Sequence, residues 1–508
     1  MAAAPVRPAT AQRSSSAPGD ELKRSTLQGV KWNFLATLAT LVGRLVFTFA
    51  LARILGPANF GVVAVATVYI AFVVVVLDQG FGIAIVQKVT LDESDVGSVS
   101  WLNLATGGVL ALLTFFASPA VADFFHTPQL DAVLKALSVT LILRGLVLVP
   151  MAMVRRELRF KEQALAQTVA MLVGGGVGIA SGLLGAGYWA LVIQTILTDL
   201  VTVVWLVAVV GRTSWRASWS SLRSMLGFST QLMLSSLLVF FGANSDNLLV
   251  ARFEGATQLA FYALAYRLLR LPIQMSASVV TGVALPVLSR LQDDDERTRT
   301  WFLTATQALG LLTFPVFALL AVGAHDGMRA IFGVQWVRAA APVQAMALAG
   351  APMVVRMLLP PLATARGWTR NVLNWSVITV GLQVMGFVIG IRVEGMVGVA
   401  VALLVVQWVT WLPNVARTLT PLLGVRLPEY LSSLRAPALA SGGAGAVWWL
   451  TEQAQARMIG GPLALHVTLS ALVALAAYVA VIRLVWRDVY RSTADILRQM
   501  ARRGAPAT

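Results

Sequence analysis

Residues 242–292 read GANSDNLLVARFEGATQLAFYALAYRLLRLPIQMSASVVTGVALPVLSRLQ, and the remainder of the chain is organised around them. The stretch reads as the end of one membrane helix, a tight turn around Gly255, and a second helix carrying Arg267 and Arg270. At 1.5 Å per residue the two arginines fall about 15–20 Å beyond the turn. That depth is close to the middle of a hydrocarbon core about 30 Å thick. Cations so deep are costly and usually face a bundle interior or a water-filled cavity.

Composition agrees with a chain that lives in lipid. Of 508 residues, 57% are hydrophobic and only 12% charged, and the mean hydropathy is +0.77. Soluble domains carry about 25% charged residues. The expected fold class is an all-α polytopic membrane protein; the apolar runs are too long for barrel strands. The net charge of +16 reads as a positive-inside bias rather than a nucleic-acid surface. There are no cysteines, and His126, His325 and His466 are scattered, so neither disulfides nor a metal site are expected. No G-x-x-x-x-G-K-[ST] loop occurs, and the longest outer loop, about 323–340, is too short for a catalytic domain. The expectation is a transporter, not an enzyme, with no cofactor and no nucleic-acid partner.

Apolar runs of about 20 residues suggest about fourteen transmembrane helices. They lie at about 31–53, 62–86, 100–122, 131–152, 164–184, 188–210, 226–249, 257–285, 301–322, 341–363, 372–391, 396–415, 436–452 and 463–485. With the N-terminus inside, about 27 of the 39 basic residues fall on cytoplasmic segments and about six outside, which places both termini in the cytoplasm. An internal repeat divides the chain. Ala52-Arg53-Ile54-Leu55-Gly56 recurs as Ala251-Arg252-Phe253-Glu254-Gly255, and Leu112-Leu113-Thr114-Phe115 as Leu311-Leu312-Thr313-Phe314, at a steady offset of 199. The repeat implies two pseudo-symmetric six-helix bundles around a central cavity, residues 31–223 and 224–418, as in one class of alternating-access transporter. An additional helix pair at 419–487, a disordered cytoplasmic tail at 1–30 and a basic cytoplasmic tail at 488–508 complete the expected organisation. Gly174-Gly175-Gly176-Val177-Gly178 lies inside the fifth helix and reads as close helix packing.

Polar positions inside the apolar runs are the candidate site. Asn33, Thr37, Thr40, Arg44 and Thr48 share one face of the first helix, with Arg44 near its midpoint. Tyr262, Tyr266, Arg270 and Gln274 recur every fourth residue of the eighth, beside Arg267. Asn244 belongs to a looser polar side of the seventh, Arg356 to the tenth and Arg144 to the fourth. The candidate substrate-binding residues are Arg44, Arg267, Arg270, Arg356, Tyr266 and Asn244. The plainer alternative is that each arginine is satisfied by backbone carbonyls or a structural partner, or snorkels outward. Acids are fewer: Asp78, Asp199 near the centre of the sixth helix, and Asp246 near the outer end of the seventh. They are the ion-coupling candidates, for a proton or for sodium, and Asp199 is equally a partner for Arg144. An interior richer in guanidinium than in carboxylate suits phosphate or carboxylate, which arginine grips bidentately.

At this point the residues resemble a family. Leu55-Gly56-Pro57-Ala58-Asn59-Phe60-Gly61, Leu77-Asp78-Gln79-Gly80-Phe81-Gly82 and the block from Ser245 to Gln292, with Tyr262-x-x-x-Tyr266-Arg267, Leu271-Pro272 and Leu285-Pro286, are similar to the polysaccharide flippases. These are Wzx-type lipopolysaccharide and exopolysaccharide biosynthesis proteins of the multidrug/oligosaccharidyl-lipid/polysaccharide exporter superfamily. The resemblance implies a V-shaped pair of bundles in the bacterial inner membrane and translocation of undecaprenyl-diphosphate-linked oligosaccharide. It implies that Arg44, Arg267 and Arg270 hold the diphosphate, and that a polysaccharide polymerase and glycosyltransferases are working partners. Alternatives are a lipid II flippase, a multidrug exporter, a membrane glycosyltransferase or ligase, and a scaffold of a synthesis complex. A cation exporter would call for cavity acids, and a transferase for catalytic residues in sizeable outer loops.

Overall fold

The computed structural model describes residues 18–78, 85–86, 88, 92–211, 216, 218–458 and 462–486. The Gln79–Gly82 part of the second motif and the tails at 1–17 and 488–508 lie outside the described residues. So do the side chains of Asn33, Thr37 and Thr40.

The described elements are all helical. They are α1 (Pro18–Asp78), α2 (Glu93–Phe124), α3 (Gln129–Arg156), α4 (Phe160–Leu183), α5 (Trp189–Val210), α6 (Trp219–Arg290), α7 (Asp295–Val322) and α8 (Ala324–Ile331). A 3-10 turn (Val334–Ala339) follows, then α9 (Ala340–Arg356), α10 (Leu359–Ala365), α11 (Thr369–Leu423), α12 (Leu427–Met458) and α13 (Leu463–Val485). Among the described residues, nine helical segments are long and apolar enough to cross a membrane. Helix α1 starts at Pro18, within the stretch 1–30 that sequence assigned to a tail. Proline is at home at the start of a helix, where its missing N–H costs nothing.

Helix α6 has 72 residues, and unbent it would run about 108 Å, more than three hydrocarbon cores. It is broken at Gly255 (φ 83°), as the 61-residue α1 is broken at Gly56 (φ 70°). Only glycine adopts such a φ without strain. The two kinks are separated by the offset of the sequence repeat, so the repeated pentapeptides are repeated corners of the backbone. Helix α11 kinks likewise at Glu394–Gly395.

Helices α1 to α5 pack on one another, α2 on α3 and α4 on α5, while α6, α7, α9 and α11 form a second group. The Gly-rich run of α4 does what sequence suggested. A methyl at Gly174 would meet Thr198 Oγ1 of α5 at 2.1 Å, and one at Gly175 the Phe47 ring of α1 at about 2.5 Å. The pair α12–α13 leans on α7. It is tied there by Arg299, whose guanidinium grips both oxygens of Glu429 at 2.8 and 2.7 Å.

The groups meet where α1 packs on α6. Gly61, just past the first kink, touches the carbonyl of Ala256, just past the second: a Cβ on Gly61 would sit 2.1 Å from that oxygen. Trp336, from the 3-10 turn, fills the junction. It is fully buried, meets the rings of Phe60 and Phe261 edge-on at 5.5 and 5.7 Å, and donates its indole N–H to the Ala52 carbonyl at 2.9 Å.

Candidate functional site

The first leg of α1, which carries Arg44, packs on α6, whose second leg carries Arg267 and Arg270, and Arg267 makes the contact between them. Arg267 reaches across this seam, its Nη1 lying 3.4 Å from Thr48 Oγ1 and its guanidinium 5.3 Å from the centre of the Phe60 ring. Thr48 is one turn from Arg44 on the face that sequence marked as polar. Arg44 is exposed and has no hydrogen-bond or ion-pair partner among the described residues. The Arg267 side chain is likewise exposed.

Arg270 lies 5.6 Å from the centre of the Tyr266 ring. Tyr266 stacks on Tyr262 at 6.2 Å, and the Tyr262 hydroxyl donates to Asp246 Oδ2 at 2.8 Å. Asp246 is buried and also accepts from the backbone and side-chain nitrogens of Asn247. Sequence set Asp246 near the outer end of its helix. The helix instead runs on to the kink at Gly255, which puts Asp246 about 13 Å below the corner at 1.5 Å per residue.

Beside Tyr266 a cavity of about 440 Å³ opens among α6, α9 and α11. Arg356 lines it and is held by two neutral acceptors, Gln407 Oε1 at 2.7 Å and Thr410 Oγ1 at 3.2 Å. Among the described residues none of Arg44, Arg267, Arg270 and Arg356 has a carboxylate within ion-pair distance. Guanidinium groups with no carboxylate at ion-pair distance keep N–H donors free to take an anion.

Other candidates fall elsewhere. Asp199 pairs with Arg144 at 2.9 Å inside the first helix group, which removes Arg144 from the uncompensated set. Asn244 donates to the Phe240 carbonyl of its own helix at 3.0 Å and is not among the residues lining the cavity. Asp78 is exposed at the end of α1.

At the kinked ends of α1 and α6 the two helix groups are tied together. Arg53 donates to the carbonyls of Ala330 and Ile331 at 3.0 and 2.9 Å, where α8 ends. Gln335 returns a bond to the Arg53 carbonyl at 2.9 Å. Arg252 lies 2.9 Å from His126 Nδ1 and 5.1 Å from the centre of the Phe124 ring.

The family model described as "Polysaccharide biosynthesis protein" matches residues 50–341. The chain belongs to the polysaccharide biosynthesis protein family. It is 27% identical over 428 residues to the lipopolysaccharide biosynthesis protein WzxC of Escherichia coli (strain K12), covering 82% of this chain and 85% of WzxC. It is also 27% identical to the teichuronic acid biosynthesis protein TuaB of Bacillus subtilis (strain 168), over 67% of this chain and 70% of TuaB. Its fold is similar to that of the lipid II flippase MurJ in an inward closed conformation. The TM-score there is 0.70 at 14% identity, over 90% of this chain and all of that one.

Within the residues matched to the polysaccharide biosynthesis family lie both kinks, Arg53, Arg252, Arg267, Arg270, Tyr266 and Asp246. Arg44, Arg356 and the polar wall of the cavity lie outside them. That wall was missed in the sequence, yet a signal was present: Asn371, Trp375, Thr379 and Gln383 recur every fourth residue of α11.

Proposed function

We propose that this chain is an inner-membrane flippase that translocates undecaprenyl-diphosphate-linked oligosaccharide for polysaccharide biosynthesis. The single observation that carries the proposal is that Arg44, Arg267 and Arg270, on two helices that pack together, have no carboxylate at ion-pair distance among the described residues, with Arg267 reaching from α6 to α1. The names of WzxC, a lipopolysaccharide biosynthesis protein, and TuaB, a teichuronic acid biosynthesis protein, support that substrate class. The diphosphate binds the three arginines while the polyprenyl chain stays in the bilayer.

Transport proceeds by alternating access. The ties of Arg53 and Arg252 hold the outer side shut and must break for release. Hydrogen bonds to charged groups contribute about 1.5–3 kcal/mol each. Substrate or a coupling ion has to bind the outward state better by a comparable margin to reverse the equilibrium. Asp246, beside Arg270 through the two tyrosines, is placed to sense both; Asp78 and Asp199 are the other ion-coupling candidates. Both termini face the cytoplasm, and a polysaccharide polymerase and glycosyltransferases act on either side of the transport step.

The test is polymer export in cells lacking their own flippase. Wild type restores it, and Arg270→Ala at equal membrane abundance does not. Full export by that variant would remove the arginine from substrate handling.

A further inference from the structure

The cavity beside Tyr266 has a lining unlike the seam it adjoins. Among the described residues its one acid is Asp246, which already receives hydrogens from the Tyr262 hydroxyl and from both nitrogens of Asn247, and its one cation is Arg356. With that carboxylate saturated, the lining does not suit a metal ion, and Arg356 is a single cation that already spends two N–H groups on neutral acceptors, Gln407 and Thr410. The remaining polar groups are neutral. Asn371 donates to Thr418 at 3.1 Å, and Thr418 in turn to Asn414 Oδ1 at 3.2 Å. Gln383 and Thr379 face the cavity with no side-chain partner among the described residues. Trp375 and Tyr266 supply aromatic surface.

Amides and hydroxyls that both donate and accept, set around aromatic rings, match one ligand chemistry. A sugar ring offers hydroxyls that also do both, and a C–H face that packs on an aromatic ring. Position adds a second argument. Tyr266 lines the cavity and carries Arg270 against its ring, so one side chain lies between that guanidinium and the amide-lined cavity. In a glycosyl diphosphate the first sugar is bonded directly to the phosphate. A volume of about 440 Å³ lies in the range of small-ligand sites, about 300–1,000 Å³.

We infer that this cavity is a glycan subsite, taking the diphosphate-proximal sugar through Asn371, Gln383, Trp375 and Tyr266 while the phosphates rest on Arg270. The inference rests on the flippase reading and deepens it: glycan selection resides in α11, apart from the anion seam.

The experiment uses the full chain in lipid nanodiscs and two kinds of probe. One is a short-chain prenyl diphosphate; the others are the same lipid carrying one hexose or N-acetylhexosamine. The wild type binds at least one sugar-bearing probe about tenfold more tightly than the bare diphosphate, the scale of one net hydrogen bond. Gln383→Leu and Asn371→Leu erase that increment and leave the bare probe's affinity unchanged. Arg270→Ala weakens both kinds of probe. Gln383→Leu breaks no hydrogen bond within the described residues, so it serves even if Trp375→Leu does not fold. An increment that survives both Leu variants, or no increment for any sugar in the wild type, overturns the subsite and leaves the anion seam standing. If the wild type binds no probe, or Arg270→Ala changes none, the flippase reading fails and the subsite with it.

Discussion

Arg53 and Arg252 occupy equivalent corners of the repeat, and each reaches into the helix group to which it does not belong. Arg53 closes on the last carbonyls of α8, where the helix dipole is negative, and Arg252 on His126 beyond the end of α2. Loop arginines on an outer face usually read as solvated charge. Here the repeat turns them into a reciprocal pair of ties.

Removing the ties should loosen the outer face. The chain has no cysteine, so a single Ala52→Cys, buried beneath Trp336, is a clean reporter. Labelling by a membrane-impermeant maleimide should rise about tenfold when Arg53→Ala and Arg252→Ala are combined, which corresponds to about 1.4 kcal/mol. Unchanged labelling in the double variant would mean that packing alone holds the closure.

Gly61→Ala should act in the same direction by a different route. Its new methyl would sit 2.1 Å from the Ala256 carbonyl oxygen, and backbone cannot rotate aside as a side chain can. Separation of the two corners is the relief available. Ala52→Cys labelling should therefore rise while both arginines are intact. A Gly61→Ala protein that labels like its parent would show that the corners already part freely.

At the seam, Arg267→Lys and Arg270→Lys should recover only part of the export lost in the alanine variants. Lysine keeps the charge and loses the planar fork that grips two phosphate oxygens. Quantified polymer export at matched membrane abundance decides this. Full recovery by lysine would reduce the role to bulk positive potential.

The Arg144–Asp199 pair should behave as structure. Asp199→Asn or Arg144→Gln alone leaves one partly buried charge unmatched and should lower thermal stability in detergent. The double variant should recover most of the loss, because replacing both partners removes the unpaired charge. Its export should stay near the parental level. A double variant that is stable but silent would return Asp199 to the ion-coupling candidates.

The kinks at Gly56 and Gly255 were legible because a glycine between two apolar runs has few other uses, and the repeat marked both. The face shared by Tyr266 and Arg270 followed from the helical period, and the Arg144–Asp199 partnership from opposite charge in lipid. The wall of Asn371, Thr379 and Gln383 obeyed the same period but passed unnoticed, because neutral amides barely lower the hydropathy of a span. The depth of Asp246 was misjudged because its helix was ended too early, at the first polar turn residues. Trp336 gave no signal at all. A tryptophan in a short outer loop looks like an interfacial residue, and only the fold carries it between Phe60 and Phe261.

Trp336 stands on a segment, residues 323–339, whose counterpart between α2 and α3 is only a short turn. The duplication is thus unequal, and one copy alone supplies the stopper for both. If transport alternates between two orientations as proposed, exchanging that loop should retune how long each one lasts.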